Sequence, residues 1–287
     1  GGILKEYKSD NVINGKQSDR ELLTKALGYK LKGDYSIKYI KMLQFVHRAL
    51  LLEMKGKVLE SFHVSNVLSK YSSGLSHNTI RRHLNVLINE AILLGMNHNP
   101  SKKIKSKKGD AKLHKPFDNI SVILNEIKEY NESLYNCCLF TYGCLLRPHR
   151  EIRELKWGDF TSDLSHIKLA GNRNKSGRNR IVPIPYYIKE KLVRGESNHN
   201  IFTDSIKSPN PDYFKTLWSR FKKVSKLIGQ DQTLYSFRHS GAIDIFKRTG
   251  SITKLQKAMG HSSINVSLTY LRGLEIPELT EDDMPVV

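Results

Sequence analysis

Cysteine is scarce in this chain: there are three in 287 residues, and two of them, Cys137 and Cys138, are adjacent within an apolar run that also holds Cys144. No CxxC pair and no Cys/His metal spacing occurs, which argues against a zinc module and against a disulfide-stapled secreted scaffold. The pattern is that of buried thiols in a reducing compartment, so a cytoplasmic location is expected. No run of about 18 apolar residues is present, so no membrane span is expected. No signal peptide is expected.

Negative charge is the second shortage. Asp and Glu total 28 against 47 Lys and Arg, a formal net charge of +19. Such a field draws polyanions. Double-stranded DNA is the first candidate partner, because neutralising phosphates releases condensed counterions and gives affinity without base reading. An anionic membrane surface is the second. Disorder is argued against by a hydrophobic fraction of 39% and an aromatic fraction of 9%. The length suits two domains of roughly 100–200 residues each.

From Ser36 to Pro100 the pattern is helical. Ile37, Ile40, Leu43, Val46 and Leu50 fall at helical spacing, as do Ile80, Leu84, Leu87, Ala91 and Leu94. Ser76 or Asn78 is a candidate N-cap, and Gly95 a stop. Residues 1–100 therefore read as a helical domain. Seven lysines follow between Lys102 and Lys115, with Gly109 and Pro116 as breakers. Residues 101–116 read as a cationic linker able to follow a phosphate backbone. Lys102, Lys103, Lys105, Lys107 and Lys108 are its candidate DNA contacts, together with Arg81 and Arg82 on the preceding helix.

From Phe117 helices return, including "LYNCCLFTYGCLL" and "REIRELKW". A strand pair follows, "HIKLA" and "IVPIP", separated by the turn-rich "GNRNKSGRNR". Helices then run to Leu274. The expected class is mainly α with a small antiparallel β-sheet, and residues 117–287 form its second domain, mixed α/β. The segment from Glu275 to Val287 carries five acids and no Lys or Arg.

Within that domain Arg147, Lys175, Arg238, His261 and Tyr270 stand beside turns and helix starts. Singly each has a plain explanation, an exposed ion pair, a cap or a core aromatic. Together they fit one reaction. A tyrosine hydroxyl, with its ordinary pKa near ~10, is a weak nucleophile that clustered cations push towards its ionised form. Arginines suit the non-bridging oxygens of a phosphodiester, since a guanidinium donates two parallel hydrogen bonds and keeps its charge. A lysine on a hairpin can protonate the departing 5′ oxygen. No carboxylate cluster offers a metal site, so no cofactor is expected.

The motifs "LLRPHREIRELKW", "NKSGRNRIVPIP", "YSFRHSGA" and "KAMGHSSINVSLTY" resemble the catalytic domain of the tyrosine recombinases, also called phage-type integrases. The likeness runs from about Phe117 to Leu274, and the Ser36–Pro100 block resembles that family's helical core-binding domain. The resemblance implies a DNA breaking and rejoining enzyme needing neither metal nor ATP. Tyr270 would be the nucleophile that forms a 3′-phosphotyrosine, Arg238 the second arginine, His261 the third-box histidine and Lys175 the β-hairpin lysine. It also implies a clamp around duplex DNA, a homo-tetramer on two duplexes and, for a mobile element, an accessory DNA-bending or excision factor. A type IB topoisomerase would share this chemistry, and a non-catalytic DNA-binding protein would share the fold. Two positions depart from the family pattern. Spacing back from "EIRELKW" places the first arginine at Pro148; Arg147 is the preferred assignment and Arg150 the runner-up. Tyr235 stands where the family usually carries histidine. His239 is expected to be structural, because on a helix it points about 100° away from Arg238.

Overall fold

The computed structural model describes residues 12–13, 16–70, 74–108, 114–174, 177–274 and 278–287. The chain divides into two compact units, Gly1–Ala111 and Lys112–Val287. Each has its own core.

The first unit opens on a two-stranded antiparallel pair, β1 (Val12–Ile13) and β2 (Lys16–Gln17). Four helices follow: α1 (Asp19–Leu31), α2 (Ile37–Met54), α3 (Ser61–Ser69) and α4 (Gly74–Leu93). Ser18 and Glu21 form a reciprocal capping box that satisfies the first amides of α1. Ser36 caps α2. Leu43, Val46 and Leu50 are buried against Ile80, Leu84, Leu87 and Ala91, the faces expected from their spacing. Ile37 breaks that pattern and is exposed, because it occupies the first turn, beyond the reach of the packed helices. Gly95, at φ +123°, follows α4 as the expected stop.

Ser76 and Asn78 lie inside α4 and are not its N-cap. Asn78 has a different task. Its amide nitrogen donates to the Lys107 carbonyl (2.7 Å) and its oxygen accepts from the Lys107 amide (2.8 Å). Arg81 Nε donates to the Ile104 carbonyl at 2.8 Å. The lysine-rich segment is therefore bonded along α4 as far as Lys107. The side chains of Lys102, Lys103, Lys105, Lys107 and Lys108 remain exposed, as does that of Arg82.

The second unit contains α5 (Ile120–Tyr130), α6 (Glu132–Gly143), the hairpin β3 (His166–Leu169) and β4 (Arg180–Pro183), and then α7 (Tyr186–Lys189), α8 (Tyr213–Val224), α9 (Leu234–Thr249), α10 (Ile252–Met259) and α11 (Ile264–Tyr270). The architecture is mainly α with small antiparallel β pairs. β3 and β4 register Ile167 against Val182 and Leu169 against Arg180. "REIRELKW" does not form the expected α-helix. It gives one π-helical turn, Pro148–Ile152, and then turns with Trp157 starting a short 3₁₀ piece. Proline at the first position of that turn sacrifices no intrahelical donor.

α6 and α9 form the middle of this unit, and their approach depends on Gly241. A Cβ there would sit 2.2 Å from the Tyr142 carbonyl oxygen and 2.7 Å from Leu145 Cδ2. The close approach carries Arg238, one turn earlier on α9, beneath the end of α6. A smaller apolar cluster of Leu145, Ala242, Leu255 and Met259 lies beside the main core, with Tyr270 and Leu271 packed on it. Among the described residues no helix is long and apolar enough to cross a membrane.

Candidate active site

Two backbone carbonyls and one carboxylate organise three arginines. Leu145 follows α6 in a left-handed conformation, φ 53°, which is uncommon for a branched side chain. Its carbonyl accepts from Arg238 Nε at 2.8 Å and from Arg180 Nη2 at 3.4 Å. Met259 ends α10, and its carbonyl accepts from Arg238 Nη2 at 2.5 Å and Arg180 Nη1 at 3.2 Å. Gly260 makes this possible. It is left-handed (φ +67°), and a Cβ on it would sit 2.8 Å from Arg180 Cδ.

Glu151 is the carboxylate, and it is 1% exposed. Its Oε1 accepts from Arg147 Nη1 (2.9 Å) and Arg180 Nη1 (3.2 Å). Its Oε2 accepts from the Arg147 amide (2.6 Å) and Arg180 Nη2 (3.2 Å). The π-helical turn explains the spacing anomaly at this motif. Ile152 N bonds to the Arg147 carbonyl five residues back, at 3.0 Å. A π turn holds one residue more than an α turn. That extra residue absorbs the offset and leaves Arg147 paired with Glu151. Arg150 goes elsewhere: its side chain is exposed and Nη2 donates to the Asn172 carbonyl at 2.7 Å.

Burial pushes the Arg238 guanidinium down to about 10, with Arg147 adding repulsion and Tyr270 opposing it. Tyr270 and Arg238 are thus close enough to act on each other. His261 is driven down to about 4, first by burial and then by the positive charges of Arg238, Arg147 and Arg180. It is a neutral imidazole at neutral pH. Its Nδ1 meets the buried Ser267 hydroxyl at 2.8 Å, and its ring stacks on Tyr270 with centroids 5.4 Å apart. The Tyr270 ring also meets the edge of His239 at 5.4 Å. Tyr235 is held above its ordinary value chiefly by burial, which Arg147 and Arg238 oppose. Its ring meets two histidine rings, His114 stacked at 5.2 Å and His149 tilted at 5.6 Å.

The structure thus brings Arg147, Tyr235, Arg238, His261 and Tyr270 into one neighbourhood. Lys175 lies outside the described residues. The loop on either side of it is pinned: Asn174 Nδ2 donates to the Ala170 and Arg178 carbonyls, and the Gly171 amide donates to Asn179 Oδ1. Arg81, Arg82 and the lysines from Lys102 to Lys108 belong to the other unit.

Sequence reasoning missed Glu151, Arg180 and Ser267 as members of the site. A signal existed for Arg180. It shares the alternation of Val182 and Ile184, so it sits on the buried face of β4. An arginine in phase with a strand's core face must be paired, because an unpaired buried charge is too costly. Ser267 carried no comparable signal. Among the described residues no group of three or more His, Cys, Asp or Glu is placed to hold a metal ion.

Residues 116–275 match the phage integrase family. Two curated relatives are tyrosine recombinases XerA. That of Pyrococcus horikoshii is 26% identical over 180 residues, covering 60% of this chain and 61% of that protein. That of Thermococcus kodakarensis is 26% identical over 140 residues, covering 47% and 49%. The chain thus spans less than two thirds of the length of either. Among solved structures, a lambda integrase dimer bound to a COC′ core site superposes with a TM-score of 0.75 at 16% identity, over 98% of this chain and 84% of that one. The Tn1549 transposon integrase in complex with transposon right end DNA gives 0.68 at 16% identity, over 93% and 97%. These two likenesses concern the fold.

Proposed function

The chain belongs to the phage integrase family, and on that premise we propose that it is a site-specific DNA recombinase acting through Tyr270. The Tyr270 hydroxyl gives up its proton to water, its oxygen attacks the scissile phosphorus, the P–O5′ bond breaks, and a 3′-phosphotyrosine forms. The departing 5′ oxygen takes a proton from Lys175. A 5′-hydroxyl from another strand then attacks the phosphotyrosine and restores a phosphodiester. Bond energy is conserved, so neither ATP nor metal enters. The partner is double-stranded DNA, with four protomers on two duplexes, and the element served is a mobile one.

The observation that carries this reading is the convergence of Arg147, Arg238 and His261 beside Tyr270. Arg147 and Arg238 supply fixed positive charge where the phosphate oxygens gain negative charge, and such charge needs no reorganisation during reaction. Arg180, bonded to Glu151 and to the Leu145 and Met259 carbonyls, serves as a cationic brace. His261, kept neutral, offers one N–H to a phosphate oxygen once the Ser267 hydroxyl donates to its Nδ1. The Tyr235 hydroxyl adds a neutral donor.

Covalent trapping tests the proposal. The protein is mixed with nicked duplexes drawn from DNA flanking its own gene, then denatured in detergent. A protein–DNA band in wild type that disappears in Tyr270→Phe is the expected result. Slowed cleavage in Lys175→Ala, restored by a 5′-thiol leaving group, would assign the acid. Tight DNA binding without any covalent band would refute the catalytic reading.

A further inference from the structure

His239 bridges two backbone carbonyls that lie far apart in sequence. Its Nδ1 meets the carbonyl oxygen of His114 at 2.5 Å, and its Nε2 meets the carbonyl oxygen of Tyr270 at 2.7 Å. A carbonyl oxygen only accepts, so both contacts are hydrogen bonds only when both ring nitrogens carry hydrogen. A neutral imidazole has one such hydrogen and could make only one of them. The side chain is buried, which leaves little water to replace a lost partner.

The two ends of the bridge differ in kind. Tyr270 is the last residue of α11, a helix of seven residues on which Ile264, Val266 and Leu268 are all exposed. Ser267, through His261, and Tyr270, packed on the small apolar cluster, hold that helix to the unit. The Tyr270 carbonyl is one of the end groups a helix leaves unsatisfied. His114 stands at the start of the described part of this unit, just after the lysine-rich segment. It is stapled to the start of α9: its Nδ1 meets the Thr233 hydroxyl at 2.9 Å, its ring stacks on Tyr235, and nearby Lys115 N donates to the Asp231 carbonyl.

We propose that His239, in its doubly protonated form, is a positioning residue for the nucleophile, tying the backbone of Tyr270 to the entry segment of its unit at His114. It touches neither phosphate nor the reacting oxygen. It acts by fixing where the backbone of Tyr270 stands, while its ring edge supports the Tyr270 ring. The groups around it are the His114 and Tyr270 rings, with His261 stacked on Tyr270 and Arg238 preceding it on α9. The assignment rests on Tyr270 being the nucleophile, but the bridge itself does not.

Two measurements separate these. Nitrogen-15 spectra of histidine-labelled full-length protein near neutral pH, with His239 assigned by its loss in His239→Gln, should show both ring nitrogens protonated. A spectrum with one unprotonated ring nitrogen overturns the bridge. In single-turnover trapping on the same nicked duplexes, His239→Phe keeps the ring but not the donors. It should slow covalent capture at saturating DNA by ~10–100-fold, the scale of a small misplacement, while DNA affinity holds within about threefold. His239→Gln, whose amide can donate to two carbonyls, should recover most of the rate. Equal slowing in both variants, or a matching loss of DNA affinity, overturns the positioning role. A wild-type protein that traps nothing would remove the function proposed for Tyr270, and the nitrogen-15 spectrum would still decide the bridge.

Discussion

Glu151→Gln removes one negative charge and almost no volume from the centre of the site. In the folded protein Glu151 and Arg180 are both buried, and Glu151 accepts four hydrogen bonds from Arg147 and Arg180. Glutamine retains one acceptor oxygen and turns an NH₂ group towards guanidinium donors. Breaking a buried ion pair by removing one partner costs about 3–5 kcal/mol, mostly because the remaining charge is left uncompensated. For a unit of roughly 150–250 residues each kcal/mol moves the melting temperature by ~2–4 °C, so a drop of about 6–20 °C is expected. Trp157 and Trp218 are the chain's two tryptophans and both lie in the second unit, so their fluorescence follows that unit's melting alone. A companion variant sharpens the test. Glu151→Gln with Arg180→Met also removes most of the orphaned charge, and replacing a buried pair by apolar groups is often neutral. The double variant should melt above the single one. A single variant losing less than ~1 kcal/mol, or a double variant no better than the single, would refute the claim that Glu151 neutralises Arg180.

Other perturbations follow from the same geometry. Arg147→Ala should lower covalent trapping by ~100-fold or more, the scale of losing a preorganised charge, whereas Arg150→Ala, whose side chain is exposed and bonded to Asn172, should trap at near the wild-type rate. Gly241→Ala should cost about 1–3 kcal/mol through overpacking against Tyr142 and Leu145, read as a lower melting point in the same tryptophan signal. His261 binds its proton at about 4 when folded, against an ordinary 6.5. Between those values the unfolded chain holds more protons, so protonation favours unfolding. Stability of the second unit should therefore fall by ~2 kcal/mol as pH drops from about 6.5 towards 4. Denaturant titrations across that window should show it, and His261→Asn should flatten that component.

Much of this protein was legible in its residues alone. The helical faces of Leu43, Val46 and Leu50, and of Ile80, Leu84 and Leu87, follow from a 3.6-residue period that local backbone geometry imposes. The "HIKLA" strand likewise follows from a period of two. The surplus of lysine and arginine states an affinity for polyanions without any fold. Arg147, Arg238, His261 and Tyr270 stood out because their chemistry is needed together and each stands in a short motif of its own. Other features were settled by contacts between distant segments. Asn78 reads as a cap in sequence and is a staple for Lys107, because a helix beginning at Gly74 placed it in mid-helix. Spacing alone left Arg147 and Arg150 open; the π turn placed Arg147 on Glu151, an energetic choice that also required Arg180 from a strand 29 residues away. His239 points away from Arg238, as helical geometry demands, yet its partners are carbonyls of His114 and Tyr270, and a backbone carbonyl is the same in every residue. Sequence therefore specified which side chains could do chemistry through their periodicity and their functional groups. Tertiary structure decided which of them meet and which backbone oxygens hold them, because those contacts arise only when segments remote in the chain pack together.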